Sequence, residues 1–472
     1  MERTKQLDAA ERLIDDGSYQ KVLSRLISFP TVSKRSEQMD VLYAYLKEGL
    51  GPIFSDLGFD WKILENPVEG GGPFLIAERI ENPTSFTILS YGHADVVEGM
   101  DGQWPAGRNP FQLSETPDRF YGRGTADNKG QHLLNLMALQ EVLATKEGQL
   151  GFNCKFLIET SEEIGSVGLE EFVTENKSEL FADVLIASDG PRVAPDLPTL
   201  VLGLRGAMNF SLEVSVHSEA HHSGNWGGII SDPCIVLANA LSAICSVSGV
   251  IQVPAWRPKT LADSDRQALA GCPFDPGETD DMPDDDWGEP DLTLWERLAL
   301  WPSFSVLAVE HGNPRRPTNA IYPKSTAYCS IRFPASLDPK KILDGLQEFL
   351  DAEGHAKVKV VRKSDDAFLP ATKGDPEGYW ASMVAHSIEK SVMTKARILP
   401  SNGGSLPNHV FAEILGLETI WIPHSYTACQ QHAPNEHIRK DILRSAMRIM
   451  NGLWWDIAGV ATLGREASDV LE

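Results

Sequence analysis

Phe86-Thr87-Ile88-Leu89-Ser90-Tyr91-Gly92-His93-Ala94-Asp95 decides how this chain folds: a short apolar run ends in a histidine and, two residues on, an aspartate. Two further runs have the same form. Phe156-Leu157-Ile158 leads to the pair Glu162-Glu163, and Val184-Leu185-Ile186 leads to Asp189. Short apolar runs separated by helical stretches, such as 133–143, read as buried strands of an α/β sheet. In such sheets ligands gather beyond the carboxyl ends of the strands. Three strands therefore deliver metal-type side chains to one edge, and Asp127 and the late His432 are candidates to join them. One such run could be chance; three argue for a site.

The rest of the chain sets the frame. At 472 residues it exceeds one ordinary core, so two domains are expected. A formal net charge of −24 disfavours nucleic acid or an anionic membrane surface as partner. No stretch approaches the length of a membrane span, and Met1-Glu2-Arg3-Thr4-Lys5 runs into a polar helix rather than an apolar signal region. The six cysteines lack paired spacing, which argues against a disulfide frame or a cysteine-based zinc site, and the expected location is cytoplasmic. The acidic run 275–291 is broken by Pro and Gly and lacks calcium-loop spacing, so it reads as a solvated loop.

Organisation changes twice. From Leu202-Gly203-Leu204-Arg205-Gly206 the texture shifts to an alternating strand at 208–214, followed by a helix at 233–247. Strands at 304–309 and 325–333, a helix at 340–350 and a strand at 358–361 complete two helices on an antiparallel sheet. The first pattern returns with a helix at 379–391 and a strand at 418–422. The expected fold class is α/β: a larger α/β domain in two parts, 1–203 and 369–472, with an inserted α+β domain at 204–368.

Each candidate has a bland reading beside its chemical one. His93 and Asp95 leave a strand end on the same face, so Asp95 can accept from the ring while the other nitrogen binds metal; a buried His satisfied by a local Asp would look the same. Asp127, in Gly122-Arg123-Gly124-Thr125-Ala126-Asp127-Asn128-Lys129-Gly130, could simply cap the helix that follows, or could bridge two cations with both oxygens. A carboxylate in that stretch would repel a pyrophosphate, so a dinucleotide reading of its glycines is poor. Adjacent Glu162 and Glu163 point in different directions, one toward a metal and the other toward a substrate water, unless they form only a charged turn. Asp189, in Ser188-Asp189-Gly190, could be a turn former. No Gly-x-Ser-x-Gly elbow, His-Glu-x-x-His or Walker loop competes.

In their order these motifs make the chain resemble the M20 family of metallopeptidases and amidohydrolases, the group of carnosine dipeptidases, aminoacylases, acetylornithine deacetylases and glutamate carboxypeptidases. The resemblance implies a catalytic domain with an inserted lid and dimerisation domain. It implies His93, Asp127, Glu163, Asp189 and His432 as metal ligands, with Asp127 bridging, Asp95 orienting His93 and Glu162 as general base. His432 is chosen over His424 and His437 because His432-Ala433-Pro434-Asn435-Glu436 carries the family context. The cofactor implied is a pair of divalent ions, zinc first with cobalt or manganese as options, about 3.5–4 Å apart and sharing a water.

The insert looks closest to the dipeptidase branch. His222 in His222-Ser223-Gly224 resembles a lid histidine that reaches the partner subunit's site in a homodimer. Asn319 resembles the lid asparagine, Arg332 the arginine that binds a substrate carboxylate, and Gly404 and Ser405 the glycine-rich loop at the substrate's carboxylate end. Asn402 departs from the branch, which carries an acid there, and His217 and His221 crowd the lid histidine. The expected activity is hydrolysis of an amide or peptide bond in a small substrate with a free carboxylate, by a dipeptidase or carboxypeptidase-like enzyme. An N-acyl-amino-acid deacylase uses the same machinery, and a non-catalytic metal-binding scaffold would be expected to have lost Glu162 or a ligand.

Overall fold

The computed structural model describes residues 2–34, 39–277, 282–363, 367–404 and 406–463. Eight strands form the main sheet, in the order Asp60–Leu64, Phe74–Arg79, Asn153–Glu159, Thr87–His93, Val184–Ala187, Glu418–Trp421, Thr199–Val201, Arg397–Leu399. The central four, from Asn153–Glu159 to Glu418–Trp421, run parallel. Thr87–His93, Asn153–Glu159 and Val184–Ala187 are buried along their whole length. That is why they read as continuous apolar runs rather than alternating ones: helices cover both faces of a parallel sheet. Helices Lys129–Thr145, Tyr379–Val392 and Lys440–Leu463 pack with one face of it. A second apolar core occupies the other face, around Tyr91, Leu185 and Trp421.

Parallel strands have one consequence for function. Their carboxyl ends share an edge, so His93, the segment 160–163 and Asp189 emerge side by side, as their apolar lead-ins imply.

The chain between 206 and 361 builds a separate antiparallel sheet, ordered Ser303–Glu310, Lys324–Phe333, Gly206–Ser215, Val358–Val361. Helices Pro233–Ile244 and Ile342–Ala352 cover it, with Phe210, Leu212, Ile331, Leu346 and Trp256 in the core. Lys324–Phe333 alternates buried and less buried residues, the period-2 pattern of a sheet with one covered face. The stretches 261–277 and 294–300 behave differently. Leu269, Trp295, Ala299 and Leu300 pack into the core on the main sheet, with Val201, Leu204 and Leu399, rather than into the smaller sheet's core. Helix Leu294–Leu300 starts with a capping box: the Thr293 hydroxyl accepts from Glu296 N and the Glu296 carboxylate from Thr293 N.

The acidic run is not wholly solvated. Glu289 is buried and pairs with Arg257 through both carboxylate oxygens, at 2.9 and 3.1 Å. A bidentate guanidinium partner makes that burial tolerable. Residues 278–281 lie outside the described residues. No described helix is long and apolar enough to cross a membrane.

Candidate metal centre

His93 closes its strand fully buried, and its ring is fixed from both sides. Nδ1 lies 3.1 Å from the Asp95 carbonyl oxygen and 3.5 Å from the Asp95 carboxylate. Nε2 faces Asp127 Oδ1 at 2.8 Å and Asp189 Oδ2 at 3.7 Å. The sequence reading gave Asp95 only the orienting of His93, yet its carboxylate has a second task. It accepts from the backbone N–H groups of Glu162 and Glu163, at 3.1 and 3.0 Å. Asp95 thereby ties the loop bearing both glutamates to the end of the histidine's strand, a link that spacing alone cannot reveal.

Asp127 precedes helix Lys129–Thr145, but it is not that helix's cap: Asn128 holds the cap position, without a side-chain bond to the helix's backbone amides. The two Asp127 oxygens face two different histidines. Oδ1 meets His93, and Oδ2 meets His432 Nε2 at 3.2 Å. His432 Nε2 also lies 3.0 Å from Glu163 Oε2. Donor atoms of His93, Asp127 and Glu163 all fall within 4.8 Å of one another. Asp189 faces the same His93 nitrogen as Asp127; its Oδ1 accepts from Gly190 N at 2.6 Å, while buried Oδ2 has no hydrogen-bond partner among the described residues. Glu162, Asp127, Asp189, Gly404 and His432 all border a cavity of about 290 Å³.

The charges of this cluster do not balance. No lysine or arginine lies within ion-pair distance of Asp127, Glu162, Glu163 or Asp189 among the described residues. Burial, and then the nearby Asp127 carboxylate, pushes Asp189 up to about 7. Burial, with the negative charge of Asp189, Asp127 and Glu163 around it, holds Glu162 well above the ordinary carboxylate range. Burial likewise raises Glu163. Carboxylates and imidazoles crowded together without a cation are the donor set of hard or borderline divalent ions, whose charge would relieve the repulsion. The residues fit such a group. Asp127 turns one carboxylate oxygen toward each histidine.

A further carboxylate holds the frame. Glu436 is fully buried; its Oε1 accepts from the N–H groups of Gly124, Ala126 and Asp127, at 3.0, 2.9 and 3.1 Å. Its Oε2 accepts from Arg123 at 2.7 Å. Glu436 thus joins the loop of Asp127 to the loop of His432. The sequence reading used Glu436 only as context for His432; an acid four residues beyond a ligand was the available signal. Gln431, which borders the cavity and donates weakly to Asp127 Oδ2 at 3.4 Å, carried no such signal.

The other candidate residues are distributed elsewhere. His222 is exposed on the smaller domain, where its Nδ1 accepts from Gly224 N at 3.1 Å. Asn319 lies beside it, its carbonyl accepting from Ser223 N at 3.0 Å. Arg332 is half-buried on strand Lys324–Phe333, opposite Ser303 and Ala207. None of the three borders the 290 Å³ cavity. Ser405 lies outside the described residues. His221 packs against Trp226, with ring centroids 4.8 Å apart, and His217 Nε2 lies 2.7 Å from the Ser231 carbonyl oxygen. His424 is buried, and His437 bonds the Tyr426 hydroxyl at 2.6 Å.

Comparison with known proteins gives the chain a family. The family model described as Peptidase family M20/M25/M40 matches residues 89–456, from the first histidine's strand into the last helix. The chain belongs to that family. Among its relatives, a cysteinylglycine-S-conjugate dipeptidase of Corynebacterium striatum is 27% identical over 397 residues, 82% of this chain and 83% of that protein. A Beta-Ala-His dipeptidase of Mus musculus is 29% identical over 288 residues, 59% of this chain. The matched segments span 58% of the mouse protein, and 36% and 37% of its human and rat counterparts. The Saccharomyces cerevisiae dipeptidase Dug1p superposes with a TM-score of 0.75 at 20% identity, covering 97% of this chain and 99% of that one. Human carnosine dipeptidase 1 superposes at 0.73 and 22% identity, covering 96% and 100%. These last two show the shared fold.

Proposed function

We propose that this family member is a dinuclear metal-dependent dipeptidase, cleaving the amide bond of a small substrate that carries a free carboxylate. The observation that carries the reading is the pair of Asp127 oxygens, each turned to a different histidine, with Glu163 and Asp189 at the two ends. His93, Asp127 and Asp189 would hold one ion, and His432, Asp127 and Glu163 the other; zinc is our first choice. Bound ions of this kind supply Lewis acidity to a water and to the scissile carbonyl.

Glu162 is the general base. It borders the cavity and forms no hydrogen bond or ion pair with either histidine among the described residues, which suits a group that takes a proton and passes it to the leaving amine. Asp95 holds Glu162 in place through its backbone amide. Arg332 fixes the substrate carboxylate. The glycine loop at Gly404 closes the same end.

The smaller domain, within 204–368, serves as lid and dimer interface to a catalytic unit formed by 1–203 and 369–472, onto which Leu269, Trp295, Ala299 and Leu300 also pack. Its edge strand Ser303–Glu310 exposes Val306, Leu307 and Val309, with Tyr328 alongside. An unpaired apolar edge of this kind asks for a partner, and a second copy across a two-fold axis provides one. In that dimer His222 and Asn319 reach the other subunit's site, where His222 stabilises the oxyanion. The six cysteines are all unpaired, in keeping with a cytoplasmic location.

A second reading, an N-acyl-amino-acid deacylase, draws on the 36% identity over 126 residues to an acetylornithine deacetylase of Salmonella paratyphi B, 27% of this chain. The test is a panel of dipeptides and N-acyl amino acids given to the purified, metal-supplied protein, with released amine measured. Turnover of dipeptides well above that of N-acyl amino acids is the expected result. The reverse order would make the protein a deacylase, and no turnover of either class would overturn both readings.

A further inference from the structure

A second cavity, of about 660 Å³, lies next to the one over the metal-type cluster, and the two share Pro191 and Asn402 as walls. Apolar side chains dominate its lining: Val193 and Leu399 from the main sheet's side, and Phe274, Leu294, Trp295 and Leu298 from the segment that packs back onto that sheet. Its wall also holds Arg205, whose partners are unusual for a buried cation. Nη1 donates to the Trp301 carbonyl at 3.1 Å and to Ser303 Oγ at 3.2 Å, Nη2 donates weakly to the Gly403 carbonyl at 3.4 Å, and buried Nε has no partner among the described residues.

No carboxylate pairs with Arg205 among the described residues, and the charge that bears on it is that of Arg332, a second cation. The other charged groups of the wall are accounted for. Arg192 feels the negative charges of Asp441 and Asp196. Arg297 donates to the carbonyls of Leu292 and Trp287, and Asp275 accepts from Gly277 N at 2.9 Å. A buried guanidinium without an anion is costly, and a second guanidinium beside it raises the cost. A carboxylate reaching both would relieve it, with the fork geometry that favours arginine at such sites.

We infer that this chamber is the subsite for the leaving residue, with Arg205 joining Arg332 on its carboxylate and the apolar walls taking a large apolar side chain. The inference rests on the dipeptidase reading above and narrows it: the preferred substrates end in a bulky apolar residue with a free carboxylate. A cation set in an apolar wall matches such a residue, whose carboxylate and side chain leave the same Cα. The shared Pro191 and Asn402 put that residue next to the cavity where Glu162 waits.

Product binding tests this without requiring turnover. Titration calorimetry of the full-length, metal-loaded protein with L-alanine, L-2-aminobutyrate, L-norvaline and L-norleucine should show Kd falling roughly fourfold per added methylene. Their amides should bind at least about tenfold more weakly than the free acids. The double variant Phe274→Ser/Leu294→Asn, at two exposed wall positions that the fold tolerates, should flatten the methylene series. Arg205→Met should shrink the difference between acid and amide to the part that Arg332 alone sustains; if that variant fails to fold, the Phe274/Leu294 variant still decides. Equal affinity across the series, or a slope that survives Phe274→Ser/Leu294→Asn, overturns the inference. A protein that hydrolyses dipeptides but shows a flat series refutes the subsite alone. One that shows the slope but hydrolyses no dipeptide refutes the proposed function and leaves the subsite standing.

Discussion

Glu436→Gln is the substitution that most directly tests how the loops of Asp127 and His432 are held together. Glu436 is fully buried and accepts four hydrogen bonds, three from backbone amides of the 124–127 loop and one from the equally buried Arg123. Glutamine keeps the shape but removes the charge, and its amide must turn two donors toward either Arg123 or the three N–H groups. At least one contact becomes donor against donor. Breaking a buried ion pair by neutralising one partner costs about 3–5 kcal/mol. That is a large share of a stability of about 5–15 kcal/mol. Because the bonds converge on the backbone of Asp127, part of the loss should appear as weaker metal retention rather than as global unfolding. Urea denaturation with and without added zinc, alongside metal analysis after gel filtration, reads both. The double variant Arg123→Met/Glu436→Gln should be less destabilised than the two single losses added together, because it removes the orphaned guanidinium as well. An unshifted midpoint together with unchanged metal content in Glu436→Gln would refute the clamp.

Three further outcomes follow from the site. Glu162→Gln should lower kcat by about 10²–10⁴-fold while metal content stays normal, whereas Glu163→Gln should lose metal; the opposite pattern would reverse the two roles. His222→Ala and Glu162→Gln, each inactive alone, should regain activity when co-folded as a mixed dimer; a mixed dimer that stays inactive would place His222 in its own chain's site. Amidating the substrate's free carboxylate should cost more than about tenfold in kcat/KM, since a half-buried guanidinium would lose its partner. Equal hydrolysis of acid and amide would give Arg332 another task.

Much of this was legible in the sequence because parallel sheets announce themselves. The apolar runs before His93, Glu162 and Asp189 are continuous, since both strand faces are covered, and parallel neighbours bring their ends to one edge without long-range detail. The smaller sheet was legible for the opposite reason, its period-2 alternation. What escaped were links between segments distant in sequence. The Asp95 carboxylate on the Glu162 and Glu163 amides, and Glu436 on the Asp127 loop, are side-chain-to-backbone contacts that leave no periodicity. Arg205 appeared only as part of a change in texture, because a cation without a partner is recognisable only once its surroundings are known. The acidic run misled for a related reason. Charge density predicts solvation on average, but a single bidentate partner, Arg257, was enough to bury Glu289.

The central claim is that two ions share Asp127, and one measurement addresses it most directly: elemental analysis of the protein dialysed against a chelator and then reloaded, with dipeptide hydrolysis followed at each metal-to-chain ratio. The account predicts activity lost on chelation, recovered with zinc, cobalt or manganese, and binding that saturates at two ions per chain. It predicts about one ion per chain for His432→Ala, which leaves the His93 and Asp189 side intact. Saturation at a single ion in the unaltered chain, or turnover that persists in protein shown to hold no metal, would contradict it.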